Sequence, residues 1–504
     1  MSEPEARRNS FARSRECFEE TAVFLASEEA VGFEHAKLEE HLEETSRELC
    51  RRLLQDHLDM RAQREVRLAE VVDSAGASRP SVETGHHRSL ATVFGPVDVE
   101  RFAYRHRGHE NLHPADATLN LPAERHSHGL RRWAAIEASR GSFDAAVDAL
   151  VRATGQQVGK RQVERLTRQA ATDVDAFYAS RSGLRAEPDD VVVLSVDGKG
   201  IVMRPDSLRP ATRRAAEASA PKLATRLSGG EKRGRKRMAE LGAVYDAKPV
   251  ARVPSDILKD KAQVTDPPAE RVKGPVATNK WLVASVVDDA AEVIGQVFDE
   301  ATRRDPDHER TWLALVDGNN HQIDRIGKEA KARGVTVTIT VDFIHVMEYL
   351  WGAAWSFFPK GDTAAEAWVR DRALTILQGA ARDVAAGIRR RASAQQLAAS
   401  ARRGADACAS YLTAKAGYLD YPKALAAGWP IATGIIEGAC RHIVADRMDL
   451  TGARWSVDGA EAVLKLRAVR SNGDFDDYWQ THLTRERERI HRSRYASGII
   501  PMAA

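Results

Sequence analysis

The chain has 504 residues, 43% hydrophobic and 29% charged, with a formal net charge of +3. That balance fits a water-soluble chain of roughly two to four domains, and a charge so close to zero points to no partner class by itself. No apolar run approaches the roughly 18–20 residues that span a bilayer, MSEPEARRNSFARSREC lacks the apolar core of a secretory signal, and four scattered cysteines (Cys17, Cys50, Cys408, Cys440) exclude a disulfide framework or a CxxC zinc site.

Residues 1–70 read as helix, with Leu, Phe and Val recurring at three- and four-residue steps among Glu and Arg, as in LEEHLEETSRELCRRLLQDHLDMRAQRE. An amphipathic helical hairpin suited to self-association is expected. Residues 75–185 form a second region. It opens with SLATVFGPVDVERFAYRHRG, whose alternation about Gly95-Pro96 reads as a β-hairpin. Seven histidines lie between His86 and His128 without neighbouring Cys, so no zinc-ligand spacing is present.

From about residue 130 the helical pattern returns. Ser142 is placed to cap a helix reaching about Ala153, the Thr154-Gly155 pair breaks it, and a second helix starts near Gly159. Lys160, Arg161, Gln162 and Arg165 fall in the opening turns of that second helix, where a helix–turn–helix protein presents side chains to bases and phosphates. A plain helical hairpin fits the same pattern.

Residues 186–348 switch to short β-branched strands: VVVLSVDG (191–198), ELGAVYDAKP (240–249), NKWLVASVVD (279–288), TWLALVDGN (311–319) and VTVTITVDF (335–343). Helices at 290–305 and 321–334 separate the last three, an α/β order in which helical crossovers make the connected strands parallel. Between the first two strands, residues 204–237 carry eleven Lys/Arg against three Asp/Glu, including Lys232, Arg233, Arg235, Lys236 and Arg237. Such a flexible basic loop suits contacts to a DNA backbone. A helical, Ala/Arg-rich stretch follows to residue 428. Residues 429–475 then hold a helix carrying Glu437, for which Thr433 is the candidate N-cap, and a last amphipathic helix; residues 476–504 read as a charged tail.

Asp197, Asp317 and Asp342 are each expected to close a strand. Strands one and four of this order are expected to be neighbours, which brings Asp197 and Asp317 together, and a later helix can lay Glu437 beside them. Clustered carboxylates repel unless a cation joins them, and all-oxygen ligands suit Mg²⁺, with Mn²⁺ able to substitute. Two such ions about 4 Å apart support in-line phosphodiester displacement. The competing reading of each Asp-Gly pair is an ordinary turn.

At SVDGKG, KRMAELGAVYD, LVDGNNHQ, VDFIHVMEYLW and PIATGIIEGACRHIVADRMDLTGARW the chain resembles the DDE transposases of bacterial insertion sequences, nearest to the ISKra type, over roughly residues 85–475. The resemblance implies an RNase H-like catalytic core at 186–348 and 429–475, interrupted by a helical insertion at 349–428. It implies Asp197, Asp317 and Glu437 as catalytic metal ligands for Mg²⁺. Asp342 and His345 match an accessory DxxH element, with Asp342 the alternative second ligand. Lys199 and Arg441 are candidate phosphate contacts, though Arg441, four residues after Glu437, also suits an ion pair with it. His345 either orients Asp342, meets a scissile phosphate, or makes one ordinary hydrogen bond. Trp351 and Trp355 read as core, the other reading being aromatics near a cleavage site that hold a flipped or unstacked base.

The expected activity is binding of double-stranded DNA at terminal inverted repeats, hydrolysis, and transfer of the 3′-hydroxyl to target DNA by a homo-oligomer in the bacterial cytoplasm at the nucleoid. Alternatives are a nuclease or resolvase of the same fold without strand transfer, and a DNA-binding protein without catalysis.

Overall fold

The computed structural model describes residues 10–183, 186–218, 223, 225, 235–258, 272–432, 434–450 and 452–502. The chain divides into two compact units, residues 1–180 with 473–504, and residues 181–472. No helix among the described residues is long and apolar enough to cross a membrane.

The first unit begins with helices α1 (Ala12–Leu25) and α2 (His35–Gln63), the expected hairpin. Arg13 Nε bonds Asp56 Oδ1 at 2.9 Å and ties the two together. Strands β1 (Ser81–Thr92) and β2 (Gly95–Arg105) then pair antiparallel. Their two-residue turn is Val93-Phe94; Gly95 and Pro96 open the second strand rather than form the turn, because Pro96 has no N–H to give a ladder and sits where an edge tolerates it.

Helices α3 (His128–Arg140), α4 (Phe143–Thr154) and α5 (Lys160–Ala170) pack around Leu130, Ala134, Ala138, Ala146, Leu150, Val163 and Leu166. Each fully buried leucine stabilises such a core by about 2 kcal/mol. Ser142 Oγ accepts from Ala145 N–H at 3.0 Å and starts α4, as its sequence position predicts. Gly155 ends α4 in the left-handed conformation at φ 67°, which a side chain there would resist. The segment 476–504, read from sequence as a charged tail, instead carries the helix Phe475–Ile490, whose Phe475, Tyr478, Trp479 and His482 are buried.

The second unit is an α/β fold around a five-stranded mixed sheet: β3 (Val191–Met203), β4 (Arg235–Ala247), β5 (Ala277–Ser285), β6 (Trp312–Val316) and β7 (Val337–Val341), in the order β5-β4-β3-β6-β7. The first three are antiparallel, while β6 and β7 run parallel to β3. Helices α6 (Ala290–Arg304) and α7 (Asn320–Arg333) supply the crossovers. Every residue from Val191 to Val196 and from Trp312 to Val316 is buried, which explains why these strands read as unbroken apolar runs.

After β7 come four longer helices of the expected helical region, α8 (Phe343–Ala354), α9 (Thr363–Leu377), α10 (Ala381–Ala394) and α11 (Ala399–Lys415). They share one core with Val341 and Ile431. The chain returns through α12 (Gly434–Ala439), a π-helical turn (Cys440–Ala445), and α13 (Val457–Ser471). Thr433, the candidate cap, lies outside the described residues.

The basic stretch between β3 and β4 differs from expectation. Arg235, Lys236 and Arg237 are not loop: they pair with Met203, Val202 and Ile201, so β4 starts five residues earlier than its apolar pattern suggests. Alternating charged residues do not oppose a strand whose backbone has a partner. Lys232 and Arg233 lie outside the described residues.

Candidate active site

Two parallel ladders set the site. Ser195 pairs with Leu315, and two residues further on each strand come Asp197 and Asp317. Val316 pairs with Val341, and one residue further come Asp317 and Asp342. Adjacent strands in register therefore deliver three aspartates to one end of the sheet. Successive strand residues alternate faces, so Val191, Val193 and Asp197 share a face; Val191, Val193, Leu313 and Leu315 form one cluster, against which Ile435 packs from α12. Glu437 is two residues beyond Ile435.

Asp197 does not close its strand. β3 continues to Met203, because antiparallel pairing with β4 goes on satisfying its backbone after parallel pairing with β6 has ended. Asp197 accepts from Gly198 N–H at 2.6 Å through Oδ1, and Cys440 Sγ lies 3.2 Å from Oδ2 as a thiol donor. Burial and the Asp197 charge push the Cys440 thiol pKa up, so the sulfur keeps its proton. Lys199, two residues along, is exposed.

Asp317 is the first residue past β6. Its Oδ1 accepts from Asn319 N–H at 2.7 Å, and its carbonyl accepts from the Tyr411 hydroxyl at 2.8 Å. Asp342 caps α8, its Oδ1 accepting from Ile344 N–H at 2.6 Å, and is fully buried. One turn into α8, His345 Nδ1 bonds Glu348 Oε2 at 3.0 Å.

The ligand atoms of Asp342, His345 and Glu437 all lie within 4.8 Å of one another. Asp197 and Asp317 stand outside that tight group but within electrostatic reach of it. Burial, then the Asp342 carboxylate, with Glu348 and Asp197 adding, raise the Glu437 pKa against the opposing His345. Burial disfavours the charged His345 ring, yet its Glu348 hydrogen bond and the Asp342, Glu348 and Asp317 charges outweigh that and raise its pKa. Burial and neighbouring carboxylates both disfavour the charged form of Glu437, and a group of this kind could take a divalent cation. The carboxylate oxygens suit Mg²⁺ or Mn²⁺, whereas the His345 imidazole is a donor that transition metals take more readily than Mg²⁺.

The structure thus gathers Asp197, Asp317, Asp342, His345 and Glu437 in one neighbourhood, with Asp342 rather than Asp317 in the tightest group. Arg441 does not pair with Glu437: it is exposed and forms no ion pair among the described residues. The π-turn that begins at Cys440 widens the helix and removes the stacking that a four-residue spacing implies in an α-helix. Trp355 is not core, being 38% exposed, and it stacks on Trp351 with ring centroids 5.3 Å apart. Sequence reading passed over Cys440, whose only signal is its place three residues after Glu437, and Tyr411, which carries none.

In the first unit, Lys160, Arg161 and Arg165 are exposed on α5. Lys160 Nζ pairs with Asp144 at 2.6 Å and Arg165 with Glu124 at 2.8 Å. Gln162 Oε1 accepts from Gly159 N–H at 3.1 Å and so caps its own helix. Lys236 lies 3.8 Å from Asp449, both half-exposed, a pair of little energetic weight.

No family model matches this chain, and no curated protein matches it either.

Proposed function

We propose that the second unit is an RNase H-like catalytic core and that the protein is a DDE transposase, binding the terminal inverted repeats of its element, hydrolysing DNA and joining the 3′-hydroxyl to a target. The observation that carries this reading is the delivery of Asp197, Asp317 and Asp342 by adjacent parallel strands to the place where a returning helix sets Glu437. The sheet order, three antiparallel strands followed by two parallel ones on the other side of β3, supports it.

In this reading Asp197, Asp317 and Glu437 hold Mg²⁺ or Mn²⁺, with Asp342 and His345 completing the group. When bound, the ions activate water or a DNA hydroxyl and stabilise the leaving oxygen. The protein's own part is placement. β3 carries Asp197 within the strand, Asp317 and Asp342 stand one residue past β6 and β7, Cys440 holds one oxygen of Asp197, and His345 is bonded to Glu348. Exposed Lys199 and Arg441 add positive charge for phosphates. Exposed Arg161 on α5, with Lys160 and Arg165 once they exchange their acid partners for phosphates, serves DNA binding.

The test is cleavage and strand transfer on DNA that carries the repeats flanking the gene. Asp197→Asn, Asp317→Asn, Asp342→Asn and Glu437→Gln are each expected to abolish Mg²⁺-dependent cleavage while DNA binding persists. A pre-cut end separates a transposase, which joins it to target DNA, from a nuclease, which does not.

A further inference from the structure

We infer that the helical insertion positions the second acid, with Tyr411 and Lys415 of α11 acting as positioning residues for the Asp317–Asn320 loop; this rests on the reading of Asp317 as a metal ligand. Asp197 lies within a strand, but Asp317 is already outside β6 and depends on whatever braces its loop.

The brace comes from about ninety residues later in the chain. Tyr411 and Lys415 are four residues apart and share a face of α11. The Tyr411 hydroxyl donates to the Asp317 carbonyl at 2.8 Å, and the Lys415 ammonium donates to Asn320 Oδ1. Two contacts from one helix thus hold the two ends of the segment from Asp317 to Asn320. The loop is shaped to receive them: Gly318 has φ +92°, and a Cβ there would lie 2.7 Å from the Tyr411 oxygen. Any other residue at 318 meets both a disfavoured backbone conformation and a collision.

Two features go beyond helix packing. Lys415 is only 6% exposed, and Asn320 Oδ1 is its one hydrogen-bond partner among the described residues. Burying an ammonium against a neutral amide is costly, and simple packing needs nothing more than an apolar side chain there. The Tyr411 ring also stacks on Tyr349 of α8, centroids 3.9 Å apart and 15° from parallel. α8 is the helix that Asp342 caps. One aromatic pair therefore links the loop of one acid to the helix that starts at another.

The experiment uses the full chain and the variants Tyr411→Phe, which removes one oxygen and keeps the ring, and Lys415→Met, which keeps the bulk of the stem. Hydrogen exchange is followed by mass spectrometry over residues 313–325, with 335–343 as an internal reference, and Mn²⁺ affinity is measured by electron paramagnetic resonance. Both variants are expected to exchange faster in 313–325 with the reference unchanged. Their Mn²⁺ affinity is expected to fall about tenfold, as for other groups that orient metal ligands, and excess Mg²⁺ should restore cleavage. If the wild-type chain binds Mn²⁺ and both variants bind it equally and exchange alike, the positioning role is wrong. If the wild-type chain binds no Mn²⁺ at all, the ligand reading beneath it fails, whatever the exchange data show.

Discussion

His128 gives the first unit a pH dependence that can be worked out from its contacts. At the start of α3 the ring donates from Nε2 to the Asn120 carbonyl at 2.7 Å, and its Nδ1 faces Arg131 Nη1 at 3.2 Å. A donor at one nitrogen and an acceptor at the other lock the neutral ring; protonation would turn a second N–H toward the guanidinium. Burial, only partly offset by Glu486, lowers the pKa to about 4 from 6.5. The folded state therefore binds fewer protons than the unfolded chain between those values, and stability rises with pH. The contribution is fully present above about pH 6.5 and is lost as pH falls toward about 4. At 1.36 kcal/mol per pKa unit the full effect is about 3 kcal/mol, of which about 2 kcal/mol disappears between pH 7 and pH 5. His113, His126, His482 and His491, in the same unit, are lowered by burial as well and act in the same direction, so one variant is needed to isolate His128. His128→Gln retains an N–H for Asn120 and cannot titrate. Amide exchange in α3 and in the helix Phe475–Ile490, corrected for intrinsic rates, reads the opening free energy of this unit alone. The variant is expected to lose about 2 kcal/mol less than wild type over that pH range. Equal losses in both proteins would mean that His128 does not carry this pH dependence.

If α5 reads DNA as proposed, Arg161→Ala is expected to reduce preference for inverted-repeat over scrambled DNA by about 1–3 kcal/mol in competition binding. Gln162→Ala, which removes a helix cap, should speed amide exchange in the first turn of α5 in the full chain and leave that preference near wild type. Neutralising Lys232, Arg233, Arg235, Lys236 and Arg237 together should weaken binding to all sequences alike and flatten its dependence on salt; an unchanged slope would mean these charges only face solvent. Cys440→Ser, which keeps a donor to Asp197, should cleave DNA near the wild-type rate, while Cys440→Ala should raise the Mg²⁺ concentration required; equal behaviour of the two would remove the thiol from the site.

What the sequence could reveal follows from where each signal is stored. The strands of the second unit are visible because burial on both faces demands unbroken apolar runs, and their order in space follows from the two crossover helices. That order puts Asp197 beside Asp317. The continuation of β3 past Asp197 is invisible, since it depends on the backbone partner offered by charged residues 235–237. The Cys440 and Tyr411 contacts join positions 243 and 94 residues apart, and no local pattern encodes either. The π-turn over Cys440–Ala445, where an unbroken α-helix is expected, has no sequence period to betray it. The helix Phe475–Ile490 is different: Phe475, Tyr478, Trp479, His482 and Glu486 recur at helical spacing and are all buried, a signal outweighed in reading by the surrounding charge.

The transposase proposal depends on the carboxylates at the end of the sheet holding divalent metal. Anomalous diffraction from Mn²⁺-soaked crystals addresses it without any DNA substrate. Mn²⁺ peaks are expected bounded by Asp197, Asp317, Asp342 and Glu437, and are expected to be lost in Glu437→Gln. Strong Mn²⁺ peaks elsewhere in the chain with none among these four acids would contradict it.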